Sequence, residues 1–248
     1  APVYNKPWYD STDTIACISK VTEQVVKEVV PDHKDVRYLP HTVDTEVFKK
    51  FEDKEELQKK RKEGFKTLDN AGERTIFFWN NRNARRKQSG SLLYWFKAFL
   101  DEVGHDKATL LMHTDPKDAH GQDLEYIIHH LGLGNGQVFL SRNKLPPEGM
   151  AQMYNIADCT ISISDAEGFG LATLESLACE TPIIVTMTGG LQEQVTDGEK
   201  WFGIGLEPTS KAVIGSQEIP FIYEDRLSQE VVVEALNKFH NMTKEDRE

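Results

Sequence analysis

The chain has 248 residues, 39% of them apolar and 28% charged, which suits an ordinary soluble globular protein with one full domain and a fragment of another. Its net charge of −11 disfavours a nucleic-acid partner, whose phosphates demand a basic surface. No run reaches the roughly 20 consecutive apolar residues of a membrane span, and Ala1-Pro2-Val3-Tyr4 lacks the basic-then-apolar pattern of a secretory leader. Cys17, Cys159 and Cys179 show no paired metal-type spacing and read as reduced packing thiols of a cytoplasmic protein.

In chain order, Thr14–Ser19 reads as a strand, Val21–Val30 as a helix and Val36–Leu39 as a strand that Pro40 ends. The charged stretch Lys49–Lys66 predicts a solvated helix joining two parts of the chain. Beyond it, short β-branched or aromatic runs at Thr75–Trp79, Ala108–Met112, Gln137–Leu140, Cys159–Ser164 and Pro182–Thr186 alternate with helix-period segments. Leu92, Leu93, Phe96 and Leu100 form one core-facing stripe, and Leu124, Ile127, Ile128 and Leu131 another. This alternation predicts an α/β, Rossmann-like parallel sheet with helices on both faces.

In such a sheet the ligand crevice lies at the carboxyl ends of the strands. Ser164-Asp165-Ala166-Glu167-Gly168-Phe169-Gly170-Leu171 sits at one such end, where a strand turns into a helix. Gly168 and Gly170 let the backbone turn tightly beside a ligand, and the free N–H groups of the helix attract phosphate. Eight residues after Glu167, Glu175 falls at the margin of an apolar face formed by Leu171, Leu174, Leu177 and Ala178. A carboxylate there needs hydrogen-bond donors, which ribose hydroxyls would supply; the plainer alternative is a partly exposed surface glutamate, with Glu167 a loop acid. Asn81-Arg82-Asn83-Ala84-Arg85-Arg86-Lys87 follows another strand, so that Arg82 and Lys87 could converge with the glycine turn as phosphate ligands, or form a solvated basic loop. Thr188-Gly189-Gly190 could offer further backbone donors to the crevice. Metal-type Cys/His/acid spacing, a phosphate-binding Gly-x-x-x-x-Gly-Lys-Ser/Thr loop and a strand-linked Gly-x-Gly-x-x-Gly are all missing from the sequence, against a structural zinc, an NTPase and a dinucleotide oxidoreductase.

Over nearly its whole length the chain resembles family 4 of the retaining GT-B glycosyltransferases (glycosyl transferases group 1). The likeness is strongest from Ser164 to Val195: an acid, Gly-Phe-Gly-Leu, a second acid, Ala-Cys-x-Thr-Pro, Gly-Gly and Glu-x-Val. Glu167 and Glu175 match the family's paired glutamates, and Arg82 with Lys87 its Arg and Lys five residues apart. The resemblance implies that Glu175 binds ribose, that Glu167 lies against the donor sugar, and that Arg82 and Lys87 hold the diphosphate, with Glu167, Arg82 and Lys87 as the catalytic groups. Backbone of Gly168, Phe169, Gly170 and Leu171 would meet sugar and phosphates, and the Ser141–Lys144 loop, with Arg142 and Asn143, the base. Residues 1–48 resemble the end of an N-terminal acceptor domain with its linker, and residues 49–248 the donor-binding domain. Thr42 and Glu180 stand where the family usually has glycine, and Glu207–Asp225 has no clear match.

The function so implied is retaining transfer of a hexose from a UDP-, GDP- or ADP-sugar to a glycan, lipid or other acceptor held by the N-terminal domain. It carries no cofactor and no metal requirement, and allows peripheral membrane contact. The alternatives are a nucleotide-sugar epimerase or hydrolase of GT-B fold and a non-catalytic sugar-nucleotide-binding module.

Overall fold

The computed structural model of the chain describes residues 2–68, 70–219 and 221–247; Ala1, where the expected first segment begins, lies outside them, as do Asp69, Pro220 and Glu248. The first elements are α1 (Pro2–Asp10), which the sequence did not predict, β1 (Thr14–Cys17), α2 (Lys20–Lys27) and β2 (Asp35–Tyr38). β1 and β2 pair in parallel from Thr14↔Asp35 to Cys17↔Tyr38, with α2 as the crossover. Ser19 starts α2 by accepting the Thr22 N–H, and the helix stops short of Val30 as the chain turns towards Pro31.

The charged segment forms α3 (Lys54–Gly64), capped by Asp53, which accepts the N–H groups of Glu55 and Glu56. Most of its residues are exposed, as expected of a solvated helix, but one edge is docked on the domain. Arg61 is buried and pairs with Asp158 at 2.8 Å, and Leu57 packs against a core cluster that includes Phe65 and Phe78. A charge-rich sequence hides this docking because one arginine with a dedicated carboxylate does the work of an apolar stripe.

There follow β3 (Thr75–Asn80), α4 (Ser89–Val103), β4 (Ala108–His113), α5 (Leu124–His130), β5 (Val138–Ser141), α6 (Pro147–Ile156), β6 (Cys159–Ser162), α7 (Leu171–Ala178), β7 (Ile183–Thr186), α8 (Gln192–Val195), β8 (Gly203–Leu206), β9 (Ser210–Ile214), β10 (Ile222–Arg226), α9 (Gln229–Asn241) and α10 (Lys244–Arg247). Six strands form one parallel sheet in the order β5-β4-β3-β6-β7-β8. Alternation along β3 sends Phe77 and Trp79 into a cluster with Leu92 and Phe96 of α4 and Leu236 and Phe239 of α9. Ile76 and Phe78 face the opposite way, onto Ala151 and Tyr154 of α6. Helices thus cover both faces, as the sequence predicted.

The order of the sheet decides where a ligand can sit. The chain builds outward from β3 to β4 and β5, then returns to place β6 on the other side of β3. In an open parallel sheet such a reversal is where the ligand crevice lies, at the carboxyl ends of the strands that flank it, here β3 and β6. Those two ends lead into the basic segment and the Gly168–Gly170 turn. β9 and β10 pair antiparallel and dock at this edge: the Asp225 N–H donates to the Asp165 carbonyl at 3.0 Å, and Thr188 Oγ1 to the Asp225 carboxylate at 2.7 Å.

Candidate active site

Gly170 takes φ +94°, a left-handed conformation that favours glycine, and serves as the N-cap of α7. The Gln194 side chain donates to the carbonyls of Phe169 (2.7 Å) and Gly170 (3.1 Å). Each peptide is planar and trans, so drawing these carbonyls inward turns the N–H groups of Gly170 and Leu171 outward. No described side chain caps this N-terminus, leaving it electropositive and open to an anion. Gly189 and Gly190 pack directly against this turn. A Cβ on Gly189 would overlap the Glu167 carbonyl, and the Gly190 N–H donates to that carbonyl at 3.3 Å. The pair braces the turn; the Gly190 donor is already used.

The basic segment is distributed among separate partners. Lys87, buried at the end of a short 3-10 turn (Arg85–Lys87), forms an ion pair with Glu167. Burial pushes the Lys87 ammonium below its usual range, and Glu167 opposes that shift. The structure does not bring Arg82 into this group. Its guanidinium makes two hydrogen bonds to Asp118, at 2.7 and 3.1 Å, and one to His120 Nδ1 at 2.7 Å. The cause is Asn83, fully buried, whose side chain binds the Gln122 carbonyl at 2.6 Å and accepts from Ser89 at 2.7 Å. With that anchor Arg82 lies against the 114–122 loop, apart from the Lys87–Glu167 pair with which its place after β3 would let it converge.

Glu175 is half-buried on α7. Tyr154 Oη donates to it at 2.6 Å and itself accepts from Asn80 Nδ2 at 2.8 Å. Burial raises the Glu175 carboxyl above its usual range, and the Tyr154 hydrogen bond partly offsets this. Of the apolar face predicted, Leu177 and Ala178 pack against core clusters, whereas two polar residues take the most buried places and Leu171 is left outside. Thr173 and Ser176 are buried, satisfied by Gln194 at 2.6 Å and Thr160 at 2.7 Å, while Leu171 is 46% exposed. Rotating α7 in this way puts Leu171 on the crevice rim and polar groups against the sheet. Gly168 is exposed, and the Phe169 ring packs edge-on against His41 at 5.1 Å. On the loop after β5, Arg142 pairs with Glu125 and Asn143 is exposed; Ser141 meets His113 Nδ1 at 2.9 Å.

Four residues at the crevice escaped sequence reasoning. Tyr154 and Asn80 support Glu175, Gln194 sets the glycine turn, and Asp165, almost fully buried, accepts from Gln88 at 2.7 Å and pairs with Arg226. The usable signal for Tyr154 was the cost of burying Glu175, which demands a donor; long-range pairing hid the others. Among the described residues no cluster of three His, Cys, Asp or Glu side chains could hold a metal ion, and no described helix is long and apolar enough to cross a membrane.

The profile of the family described as Glycosyl transferases group 1 matches residues 59–244, and the chain belongs to that family. It is 27% identical over 187 residues, covering 72% of this chain and 42% of the other, to a D-inositol 3-phosphate glycosyltransferase of Corynebacterium jeikeium. Its fold is similar to that of sucrose-phosphate synthase from Thermosynechococcus elongatus, with TM-score 0.70 and 20% identity over 94% of this chain and 50% of that one. Anabaena Alr3699/HepE, in a complex with UDP and glucose, gives TM-score 0.70 and 14% identity over 96% and 56%. These likenesses agree with the C-terminal half of a GT-B fold. The chain spans about half or less of the length of the curated relatives it matches.

Proposed function

We propose that this chain supplies the donor-binding part of a glycosyltransferase that moves a sugar from a nucleoside diphosphate sugar to an acceptor with retention of configuration. The observation that carries the reading is the Lys87–Glu167 ion pair, held where the open N-terminus of α7 meets the crevice between β3 and β6. A diphosphate at that helix end would be met by outward N–H groups and by the Lys87 ammonium. As the bond between sugar and diphosphate breaks, negative charge grows on the departing phosphate, and preorganised donors there lower the barrier. The same charges can replace a divalent cation, so donor binding is assigned no metal requirement. Glu175, one helical turn onward and already oriented by Tyr154, faces the ribose in this arrangement. Glu167 faces the donor sugar, and Arg142 and Asn143 the base. Residues 1–48 belong to the acceptor side and its linker, consistent with the His41–Phe169 contact. Three buried free thiols suit a reducing, cytoplasmic setting.

Calorimetry with UDP-, GDP- and ADP-sugars against the matching nucleosides tests the reading. It requires one diphosphate family to bind at least ~10-fold more tightly than its nucleoside, the scale of one or two charge-assisted hydrogen bonds. Equal affinity for sugar nucleotide and nucleoside would refute it.

A further inference from the structure

The β9–β10 hairpin makes up most of Glu207–Asp225, the stretch without a clear match in the family, and its two faces are inverted. The pairs Val213↔Tyr223 and Lys211↔Asp225 fall on one face, and Ala212↔Glu224 with Ile214↔Ile222 on the other. An antiparallel pair lying on a domain ordinarily turns its apolar side inward and its polar side to water. Here the inward side carries charge. Glu224, 5% exposed, accepts two hydrogen bonds from Arg85 at 3.0 and 2.8 Å, and Arg226 pairs with Asp165. The outward side carries Val213, 57% exposed, and Tyr223, 60% exposed, with the half-exposed ring of Phe221 set edge-on to Tyr223 at 4.9 Å.

A contiguous apolar face left in water marks a surface that meets a partner. We propose that it is a platform for the acceptor and takes a neutral saccharide, whose pyranose rings stack on Tyr223 and Phe221; the inference rests on the donor-binding reading above.

The position of the hairpin is fixed by three anchors in the elements around the crevice. Arg85 belongs to the basic segment and Asp165 to the approach to the glycine turn. The third anchor is Thr188, which donates to Asp225 at 2.7 Å and directly precedes Gly189, the residue seated on the Glu167 carbonyl. Asp225 and Tyr223 share a face two residues apart, so Tyr223 stands about 7 Å further along the strand. The platform thus runs outward from the rim beside Glu167. A saccharide whose end unit receives the donor sugar would lay its following rings along this face.

Charge and size define the ligand. The charged side chains of the face, Lys211 and Asp225, are register partners 4.0 Å apart and compensate each other. A chain of net charge −11 is repelled by an anionic lipid surface. So few apolar side chains fall short of a stable protein interface, which takes about 800 Å² from each partner, but they match the face of a short saccharide. A pyranose presents a patch of C–H groups that its oxygens make slightly positive, and the π face of an aromatic ring is negative. The Tyr223 hydroxyl adds a donor and acceptor for sugar oxygens.

The test is calorimetry and saturation-transfer NMR of the chain with maltotriose, cellotriose and triacetylchitotriose, in the presence of the nucleoside diphosphate that binds best. At least one trisaccharide should bind the wild type, with magnetisation transferred to the C–H protons of its rings. Tyr223→Ala and Phe221→Ala should each weaken that binding by about 5-fold or more, the scale of an aromatic contact, and Tyr223→Trp should retain it. Tyr94→Ala, which removes an equally exposed tyrosine from α4, should leave it within about 2-fold. Circular dichroism checks that each variant folds. A wild type that binds no trisaccharide, or a Tyr223→Ala variant that binds as well as the wild type, overturns the platform and leaves the donor site in place. Flotation of the wild type with phosphatidylcholine vesicles, lost in Tyr223→Ala, would assign the face to a membrane and overturn it too. A trisaccharide held at Tyr223 by a chain with no preference for nucleoside diphosphate over nucleoside overturns the donor reading, and with it the acceptor role of the hairpin.

Discussion

Tyr154 on α6 donates a 2.6 Å hydrogen bond to Glu175 on α7, so the carboxylate assigned to ribose enters the crevice already oriented by a neighbouring helix. Glu175→Ala should weaken nucleoside diphosphate binding by about 1–3 kcal/mol, the range for hydrogen bonds to a charged group. Tyr154→Phe should cost less, because Glu175 remains. Unchanged affinity in Glu175→Ala, measured by calorimetry, would remove the ribose role.

The same pair fixes a pH dependence. Burial raises the Glu175 carboxyl, and only its ionised form accepts from both ribose hydroxyls. Affinity should therefore decline with falling pH before the ordinary glutamate value of about 4.3 is reached. Binding in that window should release a proton, detectable as a dependence of the calorimetric heat on buffer ionisation enthalpy. Glu175→Gln should bind with a flat profile. A wild-type profile as flat as the variant's would contradict the assignment.

Glu167→Gln should alter discrimination among sugars, and turnover in the complete enzyme, more than affinity for the bare nucleotide. Kinetics with nucleoside mono- and diphosphates as inhibitors against the sugar nucleotide as substrate separate these effects. Equal losses for all three ligands would place Glu167 outside the sugar site.

Asp118 gives a stability signature for the 114–122 loop. The Arg82 fork depresses its folded carboxyl, so its contribution is present above the unfolded value of about 3.9 and is lost as pH falls below it. Urea unfolding of wild type and Asp118→Asn should show a gap at pH 7 that narrows towards pH 3. A gap that widens in acid would mean that the fork does not stabilise the fold.

Gly189→Ala tests the bracing of the glycine turn. The position has φ +49° and a Cβ there would overlap the Glu167 carbonyl, so the turn must shift, at a cost of about 2 kcal/mol or more. Both the melting temperature and diphosphate affinity should drop. Wild-type values for both would show the turn to be independent of its neighbour.

Much of this arrangement could be read in the residues. β3 announces itself because Ile76, Phe77, Phe78 and Trp79 are buried on both faces, which makes a continuous apolar run. β8 does not, because it is Gly-Ile-Gly-Leu: a Cβ on Gly203 would overlap the Ile183 backbone, so the residue required by packing is a poor strand former. Glu167, Lys87 and Glu175 stand out in the sequence as candidates because charge beside a glycine turn has a cost that partners must relieve. The sorting of the arginines does not. Where Arg82 and Arg85 point depends on where Asn83 is buried and where Asp118 and Glu224 lie, and these carboxylates are 36 and 139 residues from Arg82 and Arg85 respectively. Similarly, α7 turns its Thr173 and Ser176 inward because Gln194 and Thr160 satisfy them, a choice that helical periodicity cannot reveal.

The most direct test is a crystal structure of the chain grown with the nucleoside diphosphate it binds best. The diphosphate should lie against the Gly170 and Leu171 N–H groups within hydrogen-bond distance of Lys87 Nζ, with the ribose hydroxyls on Glu175. A nucleotide bound elsewhere, such as the groove lined by Leu68, Val138 and Arg142, with the end of α7 left free, would contradict the assignment of the crevice between β3 and β6 as the donor site.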